Sequence, residues 1–330
     1  MEIARALVLA TPTADDTPWC SAGSSPKPLV PVATKPIIFH TLEALRRAGV
    51  LETALLVEES AAPVFRAAVG DGARWGMSVS YAACERWTDI GAALRVAHEF
   101  AGDEPVLVQR ADAFLGDDLR EHLVGFARDG LDALALMVAC PRAHEPLSRR
   151  AGSYLLSPSA VTSILRGPAG HDPLARLRRQ GGQVRVLDVE GCLACHGSES
   201  SLLAANRHAL SSIVTDTDGV MLDDSEIQGP VVIHPTATLR STLVRGPAIV
   251  GKGCRLLDSY VGPYSSIGAD VRIEGTEIEH SIVMDGAQLL FVGRRLETSI
   301  IGRGASIVRR FDLPSAVRMS IGDGAEVALS

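Results

Sequence analysis

Residues 6–36 read ALVLATPTADDTPWCSAGSSPKPLVPVATKP. The apolar run 6–10 has the length and composition of a buried first strand, and the polar, turn-rich residues 11–25 predict a loop that leaves this strand. Because open α/β sheets bind ligands at the carboxyl ends of their parallel strands, we expect this loop to border a ligand crevice. Lys27 lies between two prolines that stiffen its backbone, which suits a cation held toward an anion; the alternative interpretation is an exposed lysine in a rigid turn.

The chain beyond residue 36 alternates helical and strand patterns. Apolar residues recur at helical spacing or form short apolar runs, in the order helix 36–48, strand 50–57, helix 61–69, strand 77–82, helix 90–100 and strand 105–108. This βαβ rhythm predicts an α/β fold with a mostly parallel sheet and covering helices. Asp112 follows the last of these strands, so its carboxylate is expected over the ligand crevice.

The composition changes from Asp224 onward, where helical patterns give way to short β-branched runs separated by glycine and serine. Three units begin with Gly-Pro at Gly229, Gly246 and Gly262, spaced by 17 and 16 residues. Aliphatic-then-glycine steps of the hexapeptide type predict a left-handed parallel β-helix, with aliphatic side chains inside the coil and glycine turning each corner. These patterns divide the chain into an α/β domain over 1–215 and a β-helix over 216–330.

Composition and charge limit the classes of function. The 330 residues are 46% hydrophobic and 22% charged, an ordinary globular balance, and the net charge of −7 provides no basic field for nucleic acid. The sequence has no apolar run of the ~20 residues that a membrane helix needs and no signal-peptide pattern, so we expect a soluble, cytoplasmic protein.

The six scattered cysteines are expected to be reduced; a redox or metal role for Cys192 and Cys195, with His196 beside them, is the alternative.

Residues 25–50, SPKPLVPVATKPIIFHTLEALRRAGV, resemble the sugar-1-phosphate nucleotidylyltransferases, especially the long bacterial glucose-1-phosphate thymidylyltransferases that end in a β-helix. Those enzymes carry a GGxGTRL loop after the first strand, then PKPLVPV and a helix ending in AGV or AGI. GPVVIHPTATL from residue 229 and RRLETSIIGRGA from residue 294 are similar to their β-helical tail. The resemblance implies a Rossmann-like nucleotidyltransferase domain and transfer of a nucleotide, typically from dTTP, to a sugar 1-phosphate with release of pyrophosphate.

The resemblance also assigns site residues. Lys27 matches the lysine of PKPLVPV and would contact the sugar phosphate. Asp112 falls on the aspartate of a Gly-Asp pair that holds Mg²⁺, with Ala111 in place of the glycine. The remaining substrate-binding candidates are Asp89 and Gly91, near the family's base-reading Gly-Leu-Ala turn, and Cys195 with His196, where a WxDTG segment places a second metal aspartate. A divalent ion would neutralise the phosphate oxygens that meet during transfer.

Several of these positions depart from the family pattern. Residues 11–18, TPTADDTP, contain neither the glycines nor the arginine of the GGxGTRL loop, and Cys195 offers a neutral thiol that is a poor ligand for Mg²⁺. Asp89 would crowd a bound base and repel its phosphates. Because the loss of one transition-state hydrogen-bond donor costs about 10²–10³ in rate, the sequence predicts weak, altered or lost activity, as in a pseudoenzyme.

Two other functions stay open at this point. One is a non-catalytic regulator or scaffold that pairs with a biosynthetic enzyme. The other is an enzyme with changed chemistry in the same crevice, carried by Asp15, Asp16, Asp89, Cys195 and His196. The resemblance implies Mg²⁺ as cofactor if the chain is active, a nucleotide or sugar phosphate as ligand, and a homo-oligomer or hetero-complex. A role in specialised-metabolite biosynthesis is expected by analogy.

Overall fold

The computed structural model describes residues 3–10, 26–84, 90–116, 118–140, 148–167, 173–193 and 199–309. Its first part is a mixed sheet with packed helices, and its second part is a stack of parallel coils. The strands of the first part are β1 Arg5–Leu9, β2 Pro31–Val32, β3 Lys35–Pro36, β4 Glu52–Glu58, β5 Ser78–Cys84, β6 Val106–Arg110, β7 Ala113–Leu115, β8 Ala133–Cys140, β9 Ser148–Leu156 and β10 Val184–Leu193.

Helices connect and cover these strands. They are α1 Ile37–Arg47, α2 Ala62–Val69, α3 Ile90–Ala101, α4 Leu119–Arg128, α5 Pro158–Leu165, α6 Pro173–Arg179 and α7 Glu199–Leu210. Within the described ranges, no helix combines the length and the apolar character needed to cross a membrane.

The large sheet has the strand order β5-β4-β1-β6-β9-β8-β10-β7. β5, β4, β1 and β6 run parallel, as do β8 and β10, while β9 and β7 are antiparallel to their neighbours. The predicted α/β fold with a mostly parallel sheet is confirmed, and the six elements predicted between residues 36 and 108 begin and end within two residues of their predicted bounds. The carboxyl ends of β1 and β6 therefore lie side by side, where an α/β sheet binds ligands.

Helix α1 ends as its sequence predicts. Leu45 is fully buried on its apolar face, and Arg46 lies in the last turn, where a cation complements the helix dipole. Gly49 follows with a φ of 95°, a left-handed conformation that glycine adopts without strain. The Gly49 and Val50 N–H groups donate to the Arg46 and Leu45 carbonyls, which satisfies the free end of the helix.

The second part of the chain consists of short strands that pair in parallel. These strands are β11 Met221–Asp223, β12 Glu226–Gln228, β13 Val231–Ile233, β14 Thr238–Arg240, β15 Leu243–Arg245, β16 Ala248–Val250, β17 Arg255–Leu257, β18 Tyr260–Val261, β19 Ser265–Ile267, β20 Arg272–Glu274, β21 Glu277–Glu279, β22 Ile282–Val283, β23 Gln288–Leu290, β24 Leu296–Glu297, β25 Ile300–Ile301 and β26 Ser306–Val308. Every third strand joins the same sheet, giving three parallel sheets that begin with β11, β12 and β13. The structure agrees with the predicted parallel β-helix, whereas its left hand stays a prediction.

Columns of aliphatic side chains fill the inside of this coil. Leu239, Leu256, Ile273 and Leu289 occupy paired positions on successive strands of one sheet, and each is fully or almost fully buried. Burial of one such side chain contributes about 1.5–3 kcal/mol. Because each coil contacts only the coils above and below it, the stability of the β-helix accumulates coil by coil.

One corner of the coil adopts a left-handed backbone conformation in each turn. Its residues, with φ between 46° and 54°, are Asp224, Ser241, Asp258, Gly275 and Phe291. The expectation of glycine at each corner is therefore wrong at four of these five positions. Residues with short polar side chains tolerate this conformation better than most, and the hydroxyls that follow stabilise it: Thr242 and Ser259 each donate to the carbonyl two residues back.

Helix α7 is joined to both parts of the structure through Asn206, which is 1% exposed. Its Oδ1 accepts a hydrogen bond from the Ala33 N–H, and its Nδ2 donates to the Tyr264 carbonyl, both at 2.9 Å. Ala33 and Thr34 form the β2–β3 turn with φ of 47° and 64°, the left-handed pair that a tight hairpin turn requires. Asn206 thus connects the hairpin that follows Lys27 to the β-helix.

Replacing Asn206 with alanine is expected to lower the free energy of unfolding by about 2–4 kcal/mol, because it leaves a buried N–H and a partly buried carbonyl without these partners. Urea unfolding followed by circular dichroism measures the change. The control is Ser211→Ala, which removes an exposed hydroxyl that donates to the Arg207 carbonyl just beyond the same helix and should cost under about 0.5 kcal/mol. Equal stability of the two variants would contradict the connecting role of Asn206.

Two histidines flank the ring of Phe114 beside this junction. The ring centroids of His40 and His208 lie 5.2 and 6.2 Å from that of Phe114. Burial lowers the pKa of both histidines, and it outweighs the opposing effects of the Val32 carbonyl on His40 and of Glu190 on His208. The His40 Nε2 donates to the Val32 carbonyl at 2.9 Å. Both rings are therefore neutral in the folded protein near neutral pH.

Protein stability should decrease as the pH falls below 6.5, the ordinary pKa of histidine. In this pH range the histidines bind protons in the unfolded chain but stay neutral in the folded protein. Each group then lowers the free energy of unfolding by up to about 1.4 kcal/mol per pH unit. His40→Gln removes one of the two groups and should make this dependence shallower in urea unfolding at about pH 7.5 and about pH 5.5. The exposed His234→Gln serves as control. A dependence as steep in His40→Gln as in the wild type would refute the assignment.

Candidate functional site

The candidate site lies where β1 and β6 end. Leu9 of β1 pairs with Arg110 of β6, and the Ala111 N–H donates to the Leu9 carbonyl at 3.0 Å. The chain leaves the sheet immediately afterwards, at Asp112. The structure therefore places Asp112 at the edge of the sheet that the strand order predicts for a ligand crevice.

The carboxylate of Asp112 is held by Arg110. Arg110 Nε donates to Oδ1 and Nη2 donates to Oδ2, each at 2.9 Å, so both oxygens accept a charge-assisted hydrogen bond from one planar guanidinium. Burial would raise the pKa of Asp112, but the positive charges of Arg110 and Lys27, together with the Arg110 hydrogen bonds, outweigh burial and hold the pKa below its ordinary value. Asp112 is therefore an ionised carboxylate with a cation already bound to it.

Buried polar contacts position this pair. The Thr41 hydroxyl, 3% exposed on α1, donates to the Ala111 carbonyl at 2.9 Å and so fixes the peptide between Arg110 and Asp112. On the other side, buried Ser153 hydrogen bonds to the side chain of Gln109. The end of β6 is thus anchored to both a helix and a neighbouring strand, which makes the Arg110–Asp112 pair part of the rigid scaffold.

Lys27 is placed by a short proline-flanked turn. It begins a 3₁₀ turn at Lys27–Leu29, in which the Leu29 N–H donates to the Pro26 carbonyl at 2.8 Å and the Val30 N–H to the Lys27 carbonyl at 3.0 Å. Pro28 and Leu29 are buried and anchor the turn, while Lys27 itself is partly exposed. Its positive charge helps to hold the pKa of Asp112 low, which places the two residues predicted as catalytic within electrostatic reach of each other.

The other predicted site residues are only partly described. Gly91 lies in the first turn of α3. Asp89, Cys195 and His196 fall outside the described residues, as do Asp15 and Asp16 and the rest of the loop 11–25. Their proposed roles stay predictions.

Cys192 is not a reactive thiol. It is buried on β10 opposite Phe114 of β7, and burial, aided by the negative charge of Asp112, raises its pKa to about 12. Because only a thiolate is a good nucleophile or metal ligand, Cys192 is a neutral core residue. For Cys192, this favours the reduced, buried thiol over a redox or metal role.

The described residues do not fit a magnesium ion at Asp112. Both carboxylate oxygens accept hydrogen bonds from Arg110, and the nearby Cys192 thiol is neutral and soft. Mg²⁺ is bound by hard oxygen ligands in near-octahedral geometry, and at Asp112 it would share one carboxylate with a guanidinium whose positive charge repels it. The aspartate predicted to hold the metal instead holds an arginine.

A second group of ligand-type side chains lies on the β-helix. One atom from each of Glu279, His280 and Glu297 lies within 4.8 Å of the others. Glu279 also lies 3.4 Å from the Arg295 guanidinium, and the His280 ring stacks on Tyr264 with centroids 5.5 Å apart. Glu279 and His280 therefore each have a protein contact of their own.

Arg110 is the main residue that the sequence analysis missed. The sequence carried only a weak signal for it: Arg110 precedes Asp112 by two positions, but the strand ends at Arg110 and the next two residues form a turn, so strand alternation does not pair the two side chains. Thr41 carried no comparable signal, since a single threonine on a helix is ordinary.

Comparison with known proteins assigns the chain to a family. Residues 22–147 match the family model described as nucleotidyl transferase. Glucose-1-phosphate thymidylyltransferases from Streptomyces griseus and Streptomyces antibioticus are 31% and 29% identical to this chain, each over 93% of this chain and 94% of the relative. A low-salt glycan biosynthesis nucleotidyltransferase from Haloferax volcanii is 26% identical over 93% of this chain and 95% of its own length.

A solved structure supports the fold. A Bacillus anthracis protein assigned as a glucose-1-phosphate thymidylyltransferase, crystallised with sucrose, matches with a TM-score of 0.55 at 19% identity, over 64% of this chain and 96% of that one. Because the Streptomyces griseus relative aligns over nearly the full length of both proteins, this chain belongs to the sugar-1-phosphate nucleotidyltransferase family that includes the bacterial glucose-1-phosphate thymidylyltransferases.

Proposed function

We propose that this chain binds a sugar 1-phosphate in the crevice at Lys27 and Asp112, and that its nucleotidyl transfer is weak or lost. The observation that carries this proposal is the Arg110–Asp112 pair, in which a guanidinium is bound to the carboxylate expected to hold a metal. The family membership supports a sugar 1-phosphate as the ligand, and the Arg110–Asp112 pair supports a slow rate of nucleotidyl transfer.

Nucleotidyl transfer is expected to be slow because it concentrates negative charge at the reacting phosphates. Several anionic phosphate oxygens approach one another in the reaction, and a divalent ion neutralises them. Breaking a buried ion pair by removing one partner costs about 3–5 kcal/mol, so a metal that displaced Arg110 from Asp112 would start with a penalty of that order. Two departures outside the described residues, the loop 11–18 without glycine and Cys195 in place of an aspartate, add to the same effect.

With dTTP, glucose 1-phosphate and Mg²⁺, pyrophosphate release should be at least about 10³-fold slower than for the Streptomyces griseus relative assayed in parallel, since one lost donor already costs about 10²–10³. The relative is the positive control for the assay. A rate within about tenfold of the relative would sink the proposal of weakened catalysis.

Binding of the sugar phosphate should depend on Lys27. Lys27→Met is expected to weaken the binding of glucose 1-phosphate about 10- to 100-fold, as measured by isothermal titration calorimetry. The reason is that a hydrogen bond to a charged partner contributes about 1.5–3 kcal/mol. Lys35→Met is the matched control: Lys35 lies eight residues away, is exposed, and pairs with Glu43 at 2.8 Å. Equal affinities for the Lys27 and Lys35 variants would remove Lys27 from the site.

The remaining predictions concern the surroundings of this site. We propose a boundary between the two domains near residues 215 and 216, supported by the end of α7 at Leu210 and by the parallel bridge from Asp216 to Val232 of the β-helix. We further propose that the protein is cytoplasmic and forms a homo-oligomer or a complex with a biosynthetic enzyme.

A further inference from the structure

We infer that Arg110 takes the place of the divalent cation at Asp112, so that the crevice binds a phosphate monoester without a metal ion. This inference rests on the proposed sugar-phosphate function and specifies how the phosphate is held. It assigns to Arg110 a binding role for which the family resemblance provides no counterpart.

The geometry of the pair is the first support. Both oxygens of Asp112 face the fork of Arg110 at 2.9 Å, so a positive charge already lies where a metal ion bound to this carboxylate would have to approach. The guanidinium is planar and matches the carboxylate in two places at once, an arrangement that a compact cation cannot reproduce. The side chains of Arg110 and Asp112 keep only 18% and 10% of their surface exposed, so water screens the pair weakly.

The balance of charge is the second support. Asp112 contributes one negative charge, and Arg110 and Lys27 contribute one positive charge each, so the three residues together carry a net charge of +1. Without Arg110 the sum would be zero, because the charge of Asp112 would offset that of Lys27. The neutral Cys192 thiol leaves this balance unchanged. Arg110 therefore makes the crevice attractive to an anion with no metal present.

The rigidity of Arg110 is the third support. Its backbone pairs with Leu9 in the centre of the sheet, and the next residue is held by the Thr41 hydroxyl and by the Leu9 carbonyl. A cation held in this way is positioned before the ligand arrives, which reduces the entropy that binding costs. A bound metal must be recruited from solution, whereas this cation is built into β6.

The deciding experiment compares glucose 1-phosphate binding to the full wild-type chain in excess EDTA and in excess MgCl₂, by calorimetry. The two dissociation constants should agree within about twofold, because the cation is part of the chain. Binding that weakens more than about tenfold in EDTA would overturn the inference and leave the proposed sugar-phosphate function standing. An absence of binding in both buffers would overturn both.

Variants then test the residue itself in EDTA. Arg110→Leu should weaken binding at least about tenfold, and Arg110→Lys, which keeps the charge but loses the planar fork, should weaken it less. The matched control is Arg128→Leu, since Arg128 also contacts an aspartate, Asp129 at 2.8 Å, but is 75% exposed on α4. Circular dichroism establishes that each variant is folded. If Arg110→Leu does not fold, the affinity of Arg110→Lys and the comparison of wild-type binding in EDTA and MgCl₂ test the inference instead. If Arg110→Leu folds and binds glucose 1-phosphate with unchanged affinity, the inference is overturned.

Discussion

Two hydrogen bonds from one guanidinium to one carboxylate determine what this crevice can hold. Asp112 lies at the carboxyl end of a central strand with little access to water, so its charge must be compensated by a partner. Arg110 provides that compensation from the same strand, two residues earlier. A divalent cation at this carboxylate would meet the positive charge of Arg110. We therefore propose an anion-binding site without a metal, in a chain whose fold belongs to a family of nucleotidyl transferases.

The β-helix is connected to this site and is more than an appendage to the sheet. Asn206 bonds the turn of the β2–β3 hairpin on one side and the Tyr264 carbonyl of the coil on the other. The hairpin directly follows the turn that carries Lys27. The hairpin that follows the lysine is thus tied to the coil, whose interior is filled by columns of aliphatic side chains.

Local patterns predicted more of the fold than of the site. Periodicities of 3.6 and 2 residues were sufficient for the βαβ order, and the Gly-Pro spacing was sufficient for the parallel coil, because both signals repeat over many residues. The prediction for the corners of the coil was wrong: Asp224, Ser241 and Asp258 adopt the left-handed conformation that was expected of glycine. Neighbouring hydroxyl groups stabilise it through hydrogen bonds. Lys27 and Asp112 were identified through the family resemblance, whereas Arg110 was not, since the partner of a charge is not visible in a motif.

The sequence by itself determined the two-part architecture and the family resemblance, and it predicted a ligand crevice at the end of the first strands. These properties follow from hydrophobic periodicity and short motifs, which depend on residues close together in the chain. Only the tertiary structure decided which cation neutralises Asp112, that Cys192 is a buried neutral thiol, and that Asn206 joins the hairpin to the β-helix. The burial of Cys192 and the hydrogen bonds of Asn206 arise from packing between segments far apart in sequence. The Arg110–Asp112 pair is local, but it depends on the turn and the burial that the folded sheet gives these two residues.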